Sequence, residues 1–367
     1  MKLLLVAGAR PNFMKIAPLI HELQERGKGA DRGDLDWKLV HTGQHYDYAM
    51  SKVFFEDFDV PEPDFFLNVG SGSHAEQTAK VMVEFEKVCS KEKPDIVVVV
   101  GDVNSTLACS VTAKKLNIAV AHVEAGLRSG DMTMPEEINR IVTDSISDHL
   151  FVTEKSGIEN LKKEGKSERH IHFVGNIMID TLHYCLRKLA SRQAGKPSGS
   201  EPYAVCTLHR PSNVDDPKTL GNILRALATI SHDMPVYFPI HPRTQKNINT
   251  FGLSSLIENP NFRTMPPQSY LDFLGLWKNA SLVLTDSGGL QEETTALGIP
   301  CFTIRENTER PITIEEGTNV LTGTSEKGIL DAYADFRNCA KKAGNVPELW
   351  DGNTAGRILT IILNSLT

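Results

Sequence analysis

No segment of the 367-residue chain approaches the apolar length needed to cross a bilayer, so a membrane-spanning protein is not expected. No Cys-x-x-Cys pair occurs. The six cysteines (Cys89, Cys109, Cys185, Cys206, Cys301, Cys339) are scattered, which offers no metal site and reads as reduced thiols in a cytoplasm. Basic residues nowhere form a dense cluster, and with a formal net charge of −7 this argues against a nucleic-acid surface. Short-period repeats and low-complexity tracts are missing too. An anionic small substrate survives these exclusions, because local arginines decide that and the total charge does not.

What is present is an alternation of short apolar runs with helical stretches: Leu3–Ala7, Lys38–Thr42, Ile96–Val100, Ala119–Val123 and Leu150–Thr153. Runs this continuously apolar predict strands buried on both faces, hence an α/β fold with parallel sheets and helices on either side. The opening Met1–Val6 reads as the first strand. Its apolar run is too short for a leader and breaks at Gly8-Ala9-Arg10-Pro11 without a cleavage site. After Arg187 the composition turns small and polar, the best linker in the chain. The alternation then restarts at Ala204–Thr207, Val236–Ile240, Leu282–Thr285 and Cys301–Ile304. The expected organisation is therefore two Rossmann-like doubly wound domains, residues 1–186 and 200–350. An apolar C-terminal helix within 353–367 would cross back onto the first. Such halves would put a ligand in the cleft between them, facing the strand carboxyl ends.

Chemistry-bearing residues gather at those strand ends. His122–Arg140 delivers Glu124 and Gly126 from a strand end into a bend, then opens a helix with Glu136 and Glu137, a density that suggests proton movement beside an anion. Gly8–Pro11 leads into a helix through Lys15, so Arg10 and Lys15 are placed to meet phosphate at a helix N-terminus, or else form a plain turn with a solvated arginine. Gly101-Asp102 follows the most apolar strand, and Asn104 or Ser105 is placed to cap the next helix. Gly70–Ala75 matches G-x-G-x-x-A. It is not on the first strand and no acidic residue follows at the customary spacing, so it reads as a helix opening rather than a nicotinamide site. His209-Arg210-Pro211 and His241-Pro242-Arg243 end successive strands of the second half, which favours a shared phosphate site. Asp286–Glu293 is the strongest nucleotide signal. Ser287, Gly288 and Gly289 open a helix with bare amides suited to a diphosphate, and Glu293 lies where it can reach ribose hydroxyls. Arg310 follows the strand Cys301–Ile304.

Taken together the chain resembles the non-hydrolysing UDP-N-acetylglucosamine 2-epimerases. The likeness is carried by GARP, TGQH at Thr42–His45, GD at Gly101–Asp102, HVEAGLRSG, PEEINR, LHR, IHP, DSGGLQEE and TERP. The resemblance implies a GT-B arrangement of the two domains, a homodimer and no cofactor. It implies Asp102, Glu124 and Glu136 as the acid–base group, with His209 beside the leaving diphosphate. Substrate and phosphate contacts would be Arg10, Lys15, Arg140, His241 and Arg310, with Ser287, Gly288 and Gly289 as the diphosphate loop and Glu293 on the ribose. Uracil would lie against Pro266–Leu274. The activity implied is interconversion of UDP-GlcNAc and UDP-ManNAc by elimination and re-addition of UDP. Met132-Thr133-Met134 also resembles relatives that epimerise UDP-2,3-diacetamido-2,3-dideoxyglucuronate, and the architecture would serve a GT-B glycosyltransferase as well. Where the family commonly has Glu two places after His209-Arg210, this chain has Ser212.

Overall fold

The run Ile96–Val100 forms a strand buried at every residue and stands in the middle of a seven-stranded sheet. In this computed structural model residues 1–8, 10–28, 35–43, 55–192, 201–338 and 344–365 are described, except for the side chains at 10 and 192. Gln44 and His45 of the Thr-Gly-Gln-His motif lie outside them. Two compact units result: Met1–Tyr184 with Glu348–Thr367, and Cys185–Pro347.

The first unit carries β1 (Lys2–Ala7), β2 (Asp36–His41), β3 (Phe65–Phe66), β4 (Ile96–Val100), β5 (Ala119–Ala125), β6 (His149–Val152) and β7 (Ile171–Phe173). They pair in the order β3-β2-β1-β4-β5-β6-β7, all parallel. The second unit carries β8 (Ala204–Thr207), β9 (Val236–Pro239), β10 (Phe262–Met265), β11 (Leu282–Thr285), β12 (Cys301–Thr303) and β13 (Asn319–Leu321), ordered β10-β9-β8-β11-β12-β13 and again parallel. Both sheets therefore wind outward in two directions from a central pair, β1 with β4 and β8 with β11. At that reversal the connecting loops diverge and leave the strand carboxyl ends open for a ligand. The nine strands expected from apolar runs are the inner strands of the two sheets, and β3, β7, β10 and β13 are the edges.

The cores follow from this. Leu3, Leu4 and Leu5 in β1 are fully buried, as are Trp277 and Phe238 in the second unit. Each such side chain contributes about 1.5–3 kcal/mol relative to exposure. The helix Ile177–Arg192 runs through the start of the stretch read as linker. Asp180 on this helix accepts from the N–H groups of Thr354 at 3.1 Å and Ala355 at 2.8 Å. It thereby satisfies the open amides at the start of the helix Thr354–Ser365. That helix lies along Arg10–Gly27, and Arg26 donates to Gly356 O at 3.0 Å.

One local feature positions the site. The register between β5 and β6 shifts between Val123 and Ala125, and Glu124 in between takes a left-handed φ of 74°. Strain of this kind in a side-chain-bearing residue persists only where the surroundings enforce it. Gly126, at φ 82°, makes the next turn against the backbone of Gly157, where a Cβ would stand 2.5 Å from Gly157 O. Gly126→Ala should lose about 2 kcal/mol of stability, from the positive φ and the backbone clash together. Urea unfolding of the variant checks this, and an unchanged midpoint would contradict the account.

Candidate active site

At the carboxyl edge of the first sheet, Glu124 is buried and pairs with Lys15, which reaches it from the helix Arg10–Gly27. The start of that helix is tied to the sheet by Asn12, whose Oδ1 accepts from the Gly8 N–H at 3.0 Å and whose Nδ2 donates to Val100 O at 3.0 Å. Gly101 closes over the ion pair. A Cβ there would lie 2.9 Å from Lys15 Nζ and 3.4 Å from Glu124 Oε2, and the backbone is left-handed at φ 66°, so glycine is required.

Asp102 comes next and is one-third exposed, and Arg140 donates to its Oδ2 at 2.6 Å. Arg140 is buried and also donates through Nε to Glu137 Oε2 at 3.0 Å. Glu137 in turn accepts from the N–H groups of Ser129 and Gly130, pinning the loop between β5 and the helix Pro135–Ile146. Burial works to raise the Glu137 carboxyl. The two backbone N–H groups and Arg140 outweigh it and hold that carboxyl below the usual range. Glu136 is half-buried in the first turn of the same helix, four residues before Arg140 and so on the same side. It makes no hydrogen bond or ion pair among the described residues.

At the corresponding edge of the second sheet, His209 and Arg210 follow β8, and Asp286 follows β11. Asp286 is fully buried and lies 2.9 Å from His209 Nδ1, while the backbone N–H groups of His209 and Arg210 donate to it at 3.0 and 2.9 Å. Arg210 also approaches Glu309, which Arg305 grips with both guanidinium nitrogens at 2.7 and 3.0 Å. Against the effect of burial, those arginines hold the Glu309 carboxyl down at about 2. The helix Gly288–Ala296 starts one residue after Ser287. Ser287 makes no side-chain cap, and a Cβ added at Gly288 would meet nothing within 4 Å. The first amides of this helix therefore lack a side-chain cap from Ser287, and unpaired amides at a helix start are groups that can receive a phosphate.

The family model for UDP-N-acetylglucosamine 2-epimerase matches residues 28–363. The chain belongs to that family. It is similar to the UDP-N-acetylglucosamine 2-epimerase of Methanococcus maripaludis, 42% identical over 98% of each chain. It is also similar to the UDP-2,3-diacetamido-2,3-dideoxy-D-glucuronate 2-epimerase of Pseudomonas aeruginosa, 41% identical over 90% of this chain and 91% of that one. Among solved structures, the Methanocaldococcus jannaschii UDP-GlcNAc 2-epimerase in complex with UDP-GlcNAc and UDP superposes with a TM-score of 0.83 at 42% identity, covering 99% of this chain and 100% of that chain.

Set against the family motifs, the structure pairs Lys15 with Glu124 and Arg140 with Asp102 on one edge, with Glu136 one turn from Arg140. The Arg10 side chain lies outside the described residues. His241 is exposed, and its Nδ1 accepts from the Arg243 N–H at 3.2 Å, capping the helix Pro242–Thr250. Arg310 pairs with the buried Glu292 at 2.8 Å. The expected caps at Asn104 and Ser105 are not formed. Val103 is the N-cap residue, and Asn104 donates to Gln77 Oε1 at 2.8 Å instead. In the Gly70–Ala75 stretch, Ser73 caps His74–Glu92 through a capping box with Glu76. Glu137, named with Glu136 at the helix opening but given no role of its own by the family motifs, is the residue that anchors Arg140, and its three-residue spacing from Arg140 is the signal for that contact.

Glu293 is buried and accepts from the Tyr270 hydroxyl at 2.5 Å, which ties it to the segment expected to meet uracil. Burial is the main cause that pushes its carboxyl up to about 8. The Tyr270 hydroxyl acts in the opposite direction, and the neighbouring Glu292 adds to the rise. A raised carboxyl favours the neutral form in the fold. Its stabilising contribution is therefore full below the ordinary carboxylate range and is lost as pH rises through about 8. The thermal midpoint of the wild-type protein should accordingly fall more steeply between pH 5 and pH 9 than that of Glu293→Gln. Parallel curves for the two proteins would refute this.

Proposed function

We propose that the chain interconverts UDP-GlcNAc and UDP-ManNAc without hydrolysing them. The observation that carries the reading is the carboxylate edge of the first unit, with Glu124 held in a left-handed backbone against Lys15 and Asp102 against Arg140. The C2 hydrogen of this sugar has no carbonyl beside it and is barely acidic, so simple deprotonation is not available. Elimination solves the problem. A carboxylate takes the C2 proton as the C1–O bond breaks, giving 2-acetamidoglucal and UDP. Re-addition of UDP at C1, with a proton delivered to the opposite face of C2, gives the epimer. Opposite faces ask for acidic groups on two sides, and Asp102, Glu124 and Glu136 are the candidates.

The second unit receives the nucleotide in this reading. Ser287, Gly288 and Gly289 meet the diphosphate with backbone amides, Glu293 the ribose, and His209 the oxygen on which charge develops as UDP leaves. Lys15, Arg10, Arg140, His241 and Arg310 are read as contacts to the anionic substrate. A homodimer acting in the cytoplasm completes the proposal; no helix among the described residues is long and apolar enough to cross a membrane. A second substrate, UDP-2,3-diacetamido-2,3-dideoxyglucuronate, is favoured by the similarity to the Pseudomonas aeruginosa enzyme and by Met132-Thr133-Met134.

Incubation with UDP-GlcNAc in heavy water, with neither acceptor nor added nicotinamide, should yield UDP-ManNAc carrying deuterium at C2. A glycosyltransferase would leave the substrate untouched, and turnover of the diacetamidoglucuronate alone would move the assignment to the second substrate. Asp102→Asn, Glu124→Gln and Glu136→Gln should each slow C2 exchange, by about 10²–10⁴-fold for whichever residue transfers the proton. Near-normal exchange in all three variants ends the elimination scheme as drawn.

A further inference from the structure

Asp286 has no side-chain surface open to solvent, and its carboxylate collects donors on both oxygens. Oδ2 accepts from the backbone N–H of His209 at 3.0 Å, from that of Arg210 at 2.9 Å and from Asn213 Nδ2 at 3.3 Å. Oδ1 also takes the His209 N–H, at 3.2 Å, and faces His209 Nδ1 at 2.9 Å. Backbone N–H groups only donate, so the carboxylate is the acceptor in these hydrogen bonds, and the Nδ1–Oδ1 approach beside them has ion-pair distance without hydrogen-bond geometry. At that distance a bare Nδ1 lone pair would repel the carboxylate and a hydrogen there would be attracted, so the contact favours hydrogen on Nδ1, and Nε2 belongs to a ring that is about half exposed, at 48%. One carboxylate thus holds His209 through its main chain and faces its ring.

We infer that Asp286 is a positioning residue that acts through His209, fixing the ring so that Nε2 is the nitrogen offered to the departing diphosphate and offsetting its charge when Nε2 is protonated. The inference rests on the reading of His209 as the group beside that diphosphate. Loop anchoring alone would be served by the two backbone contacts and Asn213. The ring contact is additional, and it follows the logic by which a buried carboxylate selects a histidine tautomer and stabilises the imidazolium.

Epimerisation rates of Asp286→Asn, His209→Gln and the double variant separate the possibilities. In the wild-type background Asp286→Asn should lower kcat by ~10²-fold with KM changed much less, because an amide turned toward Nδ1 imposes the other tautomer. In the His209→Gln background the same substitution should change kcat less than about threefold. An equal loss in both backgrounds would mean that Asp286 only holds the loop, and the inference fails while the His209 reading stands. Full activity of His209→Gln would remove both. Should Asp286→Asn not fold, nitrogen-15 NMR of the unaltered enzyme decides alone: a neutral His209 ring with its hydrogen on Nε2 overturns the inference, and hydrogen on Nδ1 supports it.

Discussion

Asp144 is fully buried in the first unit, and its oxygens accept from His122 Nδ1 at 2.6 Å and from the Gly126 N–H at 3.0 Å, while Arg128 pairs with it at 2.8 Å. The other His122 nitrogen reaches Gly101 O at 2.8 Å. One carboxylate thereby ties the end of β5, the turn after it and, through His122, the loop after β4. Burial alone would raise the Asp144 carboxyl, but His122 and Arg128 more than compensate and hold it below its ordinary range. A buried cluster of this kind is poor evidence for extra stability, since hydrophobic replacements of the same shape are often as stable. Removing one partner is another matter and typically costs about 3–5 kcal/mol, because a charge is left uncompensated. Its main effect here is geometric: it dictates where Glu124 and Asp102 stand.

The left-handed backbone at Glu124 is intelligible on that footing. A residue with a Cβ pays conformational energy of about 1–3 kcal/mol in that region, and the neighbouring contacts must enforce it. Those contacts are Asp144 on the Gly126 amide, Gly157 against Gly126, and Lys15 on the carboxylate. The charges along the edge then fall into two groups: Lys15 with Glu124, and Arg140 with Asp102 and Glu137. Every acidic group in that series has a cation or amide partner. Glu136, beside the series and without a partner among the described residues, is the carboxylate least committed to the protein's own structure.

The inner strands were legible in the sequence because burial on both faces leaves a continuous apolar run. The edge strands were not: β3 is two residues long, β10 is Phe-Arg-Thr-Met with only Phe262 buried, and β13 opens on Asn319. An edge strand covers one side and needs no unbroken run. The site was legible as a set of local motifs, each at the end of a strand that could be read. Its wiring was not. Lys15 and Glu124 are 109 positions apart, His209 and Asp286 are 77, and even His122 and Asp144 are 22. No spacing rule in one sequence reaches across such intervals. The helix caps misread at Asn104 and Ser105 failed for a related reason: both side chains are taken by distant partners, Gln77 and Thr42.

The two units share a winding order yet use the same position differently. Each has an aspartate just after the inner strand that flanks the reversal, Asp102 after β4 and Asp286 after β11. The first is one-third exposed with a single arginine on one oxygen. The second has no exposure and is filled by main-chain donors and a histidine ring. An exposed carboxylate whose other oxygen is unengaged among the described residues can exchange a proton with a ligand. A buried one with both oxygens occupied can only hold something else in place. Burial and the number of donors on the carboxylate therefore distinguish these two aspartates, although residue type and place in the winding are the same.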